Sequence, residues 1–294
     1  MTNRTERRHV SRSARPRALF VLGCPRSGTT LIGNFLGSSA QVLNLAEYGG
    51  FYVAHSMAPA VIKRLPGFHH DAYLAELRQH ARLFAERLAR ASGCSWYLDH
   101  TPWNLEIAPE LTPDVTNALY VLMLRHYAGA ILSMHQLPWF GETWEDSARL
   151  WANMCSRIID LPADRLITVG YDALAAQPEP TLAGLIAALD ACGYPVHDLD
   201  ARMLAVSHAA RVGQPRPVIG VRENGRGFRF QSIRSLDAER WSGDIHERIW
   251  PIVRDTHFEL LRRFPGVYRC PPRPDSLKRH DDATGVASYE LGFW

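Results

Sequence analysis

The segment 23–30, with the sequence GCPRSGTT, combines residue types that together bind an anion. Gly23 and Gly28 stand at the G-x-x-x-x-G spacing of a phosphate-binding loop, and two threonines follow them. The apolar run 18–22 before this segment is typical of a buried strand, and 30–36 after it has helical spacing. A strand, a glycine turn and a helix aim backbone N–H groups and a helix N-terminus at an anion. The sequence therefore predicts that a phosphate-like group is held here.

The loop lacks the lysine that binds a nucleoside triphosphate. Thr29 occupies the position where that lysine reaches the β- and γ-phosphates. Its absence argues for a single 5′-phosphate that carries another group. Arg26, inside the loop, would supply a planar and permanent cation.

Other side chains that could do chemistry stand just after further predicted strands. Those strands are 41–45, 95–98, 119–124 and 166–169, and the residues that end or follow them are Glu47, His100, Arg125 and Tyr171. Strands that alternate with helices favour a parallel sheet with helices on both faces. Binding then belongs at the carboxyl ends of the strands, where these residues would meet the loop.

CPRSGTTLI resembles the 5′-phosphosulfate loop of the sulfotransferases that use 3′-phosphoadenosine 5′-phosphosulfate (PAPS). The form PRSGTT is most similar to the tyrosylprotein, carbohydrate and bacterial branches. The resemblance implies an α/β, P-loop NTPase-like three-layer fold, with a central parallel sheet and helices on both faces. It also implies in-line transfer of a sulfuryl group from PAPS to a hydroxyl of a small molecule, carbohydrate or peptide. The product would be adenosine 3′,5′-bisphosphate (PAP), and no metal would take part.

The resemblance implies which residues bind the donor. Arg125 and Ser133, eight residues apart, resemble the 3′-phosphate motif, and GYDAL resembles the Y-E-x-L segment whose tyrosine, here Tyr171, lies by the adenine. Arg26 would also neutralise charge on the bridging oxygen as the phosphate leaves. The loop 222–227 matches the family's R-x-G loop poorly. The residues implied to hold the 5′-phosphosulfate are Cys24, Pro25, Arg26, Ser27, Gly28, Thr29 and Thr30.

An acceptor hydroxyl must lose a proton as it attacks sulfur, so a general base is needed within hydrogen-bond reach. Glu47, in NLAEYGG, corresponds to a glutamate of the tyrosylprotein sulfotransferases, whereas a histidine after a strand such as that before His100 is the base of the cytosolic branch. DHTPWN is more similar to a K-T-P-x-N segment in which a lysine contacts the sulfuryl group. The interpretation favours Glu47 as base and His100 as stabiliser of the sulfuryl or leaving group. The alternatives are a solvated loop carboxylate and a structural histidine.

Composition is typical of one globular domain. The chain has 294 residues, of which 46% are hydrophobic and 21% are charged, and a formal net charge of +3, which does not indicate nucleic-acid binding. Its only lysines are Lys63 and Lys278, so arginine or histidine must replace any lysine of a relative. Five cysteines without C-x-x-C spacing argue against a zinc knuckle or a disulfide framework, and they favour reduced thiols in the cytoplasm. No histidine pair has metal-ligand spacing.

The predicted organisation is a disordered basic arm over 1–16, a sulfotransferase domain over 17–268 and an extended tail over 269–294. No run is long enough for a transmembrane helix, and no apolar segment follows the basic arm as in a secretory signal. The sequence is compatible with a homo-oligomer. Helices are predicted over 71–88 with Asp71 as N-cap, and over 126–136, 142–161, 181–192, 198–209 and 245–264, with a long loop over 212–230.

Two other functions fit the same loop. A nucleotide kinase or other phosphoryl transferase would use this scaffold, although the missing lysine weighs against it. A degenerate nucleotide-binding module would bind PAP tightly and turn over no acceptor. Magnesium-dependent turnover of ATP would distinguish the first, and binding without turnover the second.

Overall fold

A five-stranded parallel sheet lies at the centre of the computed structural model, which describes residues 15–62, 69–199, 218–222, 228–232 and 243–269. The spatial order of its strands is β2-β3-β1-β4-β5, and all four pairings are parallel. Parallel neighbours need long crossover connections, which here contain the helices. The strands are β1 (Arg17–Leu22), β2 (Val42–Asn44), β3 (Trp96–Asp99), β4 (Leu119–Leu124) and β5 (Leu166–Gly170).

The helices cover both faces of this sheet. Between them run a π-helical turn, Val53–Met57, and 3₁₀ turns at Pro102–Leu105, Pro138–Phe140, Arg157–Asp160 and Ala163–Arg165. The α-helices are α1 (Thr29–Leu36), α2 (Gly50–Tyr52), α3 (Ala58–Ile62), α4 (His70–Ala91), α5 (Ala108–Asp114), α6 (Tyr127–His135), α7 (Trp144–Ser156), α8 (Tyr171–Ala176), α9 (Pro178–Ala191) and α10 (Gly243–Arg263).

Side chains of the central strands alternate between two hydrophobic cores. In β1, Ala18, Phe20 and Leu22 face a core shared with α4, α5, α6, α7 and α10, while Leu19 and Val21 face a core shared with α1, α8 and α9. A strand that is apolar on both faces must be covered on both, which explains why its sequence is a continuous apolar run. The three-layer α/β fold predicted from the sequence is confirmed.

Several predicted boundaries are corrected by local structure. The helix predicted over 142–161 is α7 followed by a 3₁₀ turn, and it begins where Thr143 and Asp146 form a capping box. Asp71 is not the N-cap of α4, since His69 holds that position. Its buried residues are the small Ala81, Ala85 and Ala89 together with Glu86.

The segment predicted as a long loop contains two strands. β6 (Val218–Arg222) and β7 (Phe228–Ser232) pair antiparallel, with Val218 opposite Ser232. Their short apolar stretches are interrupted by glycine and arginine, which obscured the strand pattern. The predicted arm up to residue 14, the helix predicted over 198–209 from residue 200 on, the loop residues 223–227 and the tail from residue 270 lie outside the described residues.

Candidate active site

The carboxyl ends of the five strands bring the chemistry-bearing residues to one edge of the sheet. The loop 23–28 follows β1, Glu47 follows β2, His100 follows β3, Arg125 follows β4, and Tyr171 follows β5. This placement is the one that a parallel sheet dictates. The individual roles of these residues stay predictions.

The loop after β1 has the geometry of an anion cradle. Gly28 is the N-cap of α1 with φ of 99°, and no side chain caps the N–H groups of the first turn. A β-carbon on Gly28 would stand 2.8 Å from Cδ2 of Tyr171, so this position also requires glycine for space. The buried hydroxyl of Ser27 has no hydrogen-bond partner in the described part of the chain. These donors are therefore available to an anion.

Arg125 is held in a fixed position beside the loop. Its guanidinium donates to the carbonyl oxygen of Arg26 over 2.7 Å and stacks on the ring of Tyr171, with 4.1 Å to the ring centroid. A β-carbon on Gly129 would stand 2.9 Å from its Nε, so the guanidinium lies closely over the start of α6. Burial lowers the pKa of Arg125, because a cation loses hydration there. An anion bound at this place would offset that cost.

Arg26 connects the loop to α6. Its Nε donates to Oγ of Ser133 over 3.0 Å, although 107 residues separate the two in sequence. Its backbone has a φ of 70°, a left-handed conformation that costs on the order of 1 kcal/mol for a residue with a side chain. The structure therefore links Arg26, Arg125, Ser133 and Tyr171 through direct contacts.

Tyr171 has a supporting contact that the sequence did not indicate. Its ring is largely buried, with Gly28 on the loop and the Arg125 guanidinium as neighbours. A ring in this position orients Arg125 through a cation–π contact.

Cys24 is buried within the loop, beside Cys155 of α7. Burial, with a contribution from Cys155, raises the pKa of the Cys24 thiol well above its ordinary value. A thiol that stays protonated is a poor nucleophile. The geometry therefore agrees with a small loop residue and gives no support to covalent catalysis.

Glu47 stands exposed on the turn after β2. Ala46 before it has a φ of 55°, and its N–H donates to Oδ1 of Asn44 over 2.9 Å. No hydrogen bond or ion pair holds the Glu47 carboxylate among the described residues, so its position is set by its backbone.

His100 is 2% exposed and lies against α1. A β-carbon on Gly33 would collide with its ring, so glycine at this position gives the histidine its space. Neither ring nitrogen has a hydrogen-bond partner in the described part, and burial lowers the pKa of the imidazole. His100 is therefore neutral near pH 7, unlike the lysine whose position it takes in the family pattern.

Sequence reasoning did not single out Asp99 and Asn104, which lie beside His100 at this edge of the sheet. Both are fully buried at the end of β3 and in the 3₁₀ turn after it. The signal available in the sequence was a carboxylate directly after an apolar strand, within DHTPWN. That motif was interpreted only through His100.

A family model for the sulfotransferase family matches residues 16–198, which is more than half of the chain. The chain belongs to the sulfotransferase family. The match includes all the predicted site residues and ends before β6, β7 and α10. The predicted enzyme class, PAPS-dependent sulfuryl transfer, is thereby confirmed at the level of the family.

Solved structures of sulfotransferases are similar to this chain at low sequence identity. STF9 from Mycobacterium avium is 13% identical, covers 87% of this chain and 79% of its own, and has a TM-score of 0.50. A sulfotransferase from Alicyclobacillus acidocaldarius is 13% identical, with coverages of 85% and 96% and a TM-score of 0.46. The sulfotransferase domain from the curacin biosynthetic pathway is 16% identical, with coverages of 93% and 99% and a TM-score of 0.42. No curated protein matches the chain in sequence.

The described part of this sulfotransferase contains neither a candidate metal cluster nor a candidate membrane span. No group of three or more His, Cys, Asp or Glu residues there is arranged to hold a metal ion. Among the described helices, none is both long enough and apolar enough to cross a membrane.

Proposed function

We propose that this sulfotransferase holds the two anionic ends of PAPS with two linked groups of residues. The observation that carries the proposal is the contact chain from Arg125 through Arg26 to Ser133. The loop N–H groups, Ser27 and the threonines would bind the 5′-phosphosulfate at the start of α1. Arg125 and Ser133 would bind the 3′-phosphate, and Tyr171 would lie by the adenine while supporting Arg125.

In the proposed reaction the acceptor oxygen attacks sulfur in line with the bridging oxygen of the phosphosulfate. A new S–O bond forms as the bond to the 5′-phosphate breaks, and PAP leaves with the electron pair. Glu47 takes the proton of the acceptor hydroxyl, which its exposure to solvent permits. Arg26 and the loop N–H groups stabilise the charge that develops on the leaving phosphate. No metal enters this scheme.

His100 would stabilise the sulfuryl group less strongly than a charged lysine at the same position. A neutral imidazole donates one hydrogen bond and brings no net charge. We propose that it contacts the sulfuryl or leaving group through a ring N–H. The absence of any other hydrogen-bond partner for the ring in the described structure supports this proposal.

The acceptor is proposed to be a hydroxyl of a small molecule, carbohydrate or peptide that lies next to Glu47. Tyr48, Tyr52 and Trp103 are half-buried close to Glu47 and His100 in sequence, and the rings of Tyr52 and Trp103 are 6.2 Å apart. Aromatic rings of this kind bind sugars and apolar alcohols by stacking.

The proposal includes the compartment, the domain and the partners of the enzyme. We place it in the cytoplasm as one domain over 17–268, without a nucleic-acid or membrane partner. Reduced thiols are expected there, and the described cysteines Cys24, Cys94, Cys155 and Cys192 are free.

Thermal unfolding with two nucleotides tests the donor site. PAP should raise the melting temperature appreciably and AMP much less, because only PAP carries the 3′-phosphate that Arg125 and Ser133 would bind. Arg125→Ala should abolish the difference, whereas Arg149→Ala, which removes an exposed arginine of α7, should preserve it.

Equal shifts from PAP and AMP in the unchanged protein would contradict the 3′-phosphate site. Release of PAP from PAPS in the presence of a hydroxylated acceptor is the matching activity measurement. Magnesium-dependent turnover of ATP in its place would indicate a phosphoryl transferase.

A further inference from the structure

Asp99 is a buried carboxylate at the end of β3, with 0% exposure. Its Oδ1 accepts hydrogen bonds from the backbone N–H of Thr101 over 2.8 Å and from Oγ1 of Thr101 over 2.6 Å. Burial raises the pKa of Asp99, and the Thr101 donors oppose that rise. No cation pairs with it among the described residues. A buried charge is costly without such donors, so its position calls for an explanation.

The segment that carries Glu47 is tied to the end of β3 before the glutamate. The N–H of Leu45 donates to the carbonyl oxygen of Leu98 over 2.8 Å, and the N–H of His100 donates to that of Ala46 over 3.1 Å. β2 ends at Asn44, so these bonds extend the contact with β3 beyond the paired strands.

The same segment is tied again after the glutamate, and here side chains make the contact. The N–H of Gly49 donates to Oγ1 of Thr101 over 3.1 Å. Because the Thr101 hydroxyl donates its own proton to Asp99, a lone pair of Oγ1 is free to accept from Gly49. The N–H of Tyr48 and the amide of Asn104 also lower the pKa of Asp99. The second carboxylate oxygen, Oδ2, accepts no hydrogen bond from the described residues.

We propose that Asp99 is a positioning residue, which acts through Thr101 to fix the backbone on the far side of Glu47. The inference rests on the proposed function, in which Glu47 is the general base. The Glu47 carboxylate has no partner of its own among the described residues, so only its backbone can hold it in place. A proton transfer requires the base within hydrogen-bond reach, and a small displacement lowers the rate strongly.

The chemistry of Asp99 suits this task better than a neutral side chain would. Carboxylate oxygens accept hydrogen bonds, and the groups that lower the pKa of Asp99 are the hydroxyl and N–H of Thr101, the amide of Asn104 and the N–H of Tyr48. An asparagine would offer Thr101 a neutral acceptor oxygen, and hydrogen bonds to a neutral oxygen are weaker than those to a carboxylate. Asp99→Asn should therefore loosen the Glu47 segment while it preserves the shape of the side chain.

Hydrogen exchange of the Gly49 amide tests the tie without any turnover. Thr101→Val removes the acceptor and should speed that exchange about tenfold or more, whereas Thr101→Ser should keep it near the rate of the unchanged protein. Thr181→Val removes a threonine hydroxyl from the exposed side of α9 and should change nothing at Gly49. Unchanged exchange in both Thr101→Val and Asp99→Asn would overturn the tie.

A double-mutant cycle with PAPS and an acceptor tests whether Asp99 acts through Glu47. Asp99→Asn should lower the single-turnover rate by about 10- to 100-fold with little change in PAP affinity. In a Glu47→Gln background the same change should cost less than about twofold, because no base is left to displace.

The two assignments fail separately. An equal loss from Asp99→Asn in both backgrounds would overturn the positioning role, since Asp99 would then act independently of Glu47. Unchanged turnover in Glu47→Gln would overturn the assignment of Glu47 as general base. Hydrogen exchange of the Gly49 amide would still test its hydrogen bond to Thr101.

Discussion

The two halves of the active-site edge differ in how their side chains are held. At β1, β4 and β5, the side chains of Arg26, Arg125, Ser133 and Tyr171 contact one another or the loop backbone directly. At β2 and β3, Glu47 is exposed and His100 is buried against α1, with no mutual hydrogen bond between their side chains. In the first half the functional side chains themselves are held by contacts, whereas in the second half hydrogen bonds hold the backbone on either side of Glu47.

This difference would suit the two substrates of the proposed reaction. A donor nucleotide is constant, so a preformed set of cations and donors binds it without reorganisation. On the acceptor side, the proposed base must only be held at the right place beside the hydroxyl. Variants on the first half should therefore change donor affinity, and variants on the second half should change the rate.

The largest expected effect comes from Glu47→Gln. The amide keeps the shape of the side chain but cannot take a proton as a carboxylate does, so kcat should fall by about 10² to 10⁴. PAP affinity, measured by calorimetry, should stay near that of the unchanged protein. Glu110→Gln, an exposed glutamate on α5, serves as the control.

The acidity of the acceptor distinguishes Glu47 from His100 as the general base. An activated phenol is partly ionised and needs little help from a base, so it should largely rescue Glu47→Gln and not His100→Ala. Rescue of His100→Ala in place of Glu47→Gln would make the histidine the base. If neither change slows turnover, the base does not lie in this half.

The next largest effect should be a loss of stability at acid pH, through histidines packed next to the first half. His126, which follows Arg125 and caps α6, lies with His246 and His257 of α10 in a buried cluster that includes Tyr127 and Tyr268. Burial lowers the pKa of all three histidines, to about 4 for His246 and His257.

The sign of the pH effect follows from proton binding. An unfolded histidine has a pKa of about 6.5, so between about pH 6.5 and 4 the unfolded chain binds more protons and stability falls as the pH falls. The loss should be on the order of 1–3 kcal/mol for each of His246 and His257 at the acid end.

Urea unfolding across pH 7.5 to 4.5 measures this loss. His257→Phe should show a shallower decline than the unchanged protein, by about one proton, because one uptake site is gone. The same slope in both proteins would remove His257 from the acid response.

The smallest of these effects concerns the contact between α1 and His100. Gly33→Ala places a methyl group against the His100 ring, so it should destabilise the fold by about 1–3 kcal/mol although alanine favours helices. His100→Ala combined with Gly33→Ala should recover most of that loss, because the space is vacated. Thermal unfolding of the single and double variants measures this. A stabilising Gly33→Ala would show that the ring does not lie against α1.

The sequence by itself determined the parts of the protein that depend on local chemistry. The loop 23–28, its strand and its helix are contiguous, so their residue types and spacing predict an anion site directly. The bounds predicted for β4 agree with the structure, because a central strand buried on both faces is a continuous apolar run. Arg125 stands just before α6 and Ser133 lies within it, so their spacing along the sequence also carries information.

Only the tertiary structure decided how the rest is arranged. The contact between Arg26 and Ser133, the burial of a neutral His100 against Gly33 and the Asp99–Thr101–Gly49 tie each join residues from different elements. The buried small face of α4 and the pairing of β6 with β7 likewise depend on neighbours. Such contacts depend on which side chains the folded chain brings close together and removes from water. The spacing of residues along the sequence does not give their distance in space.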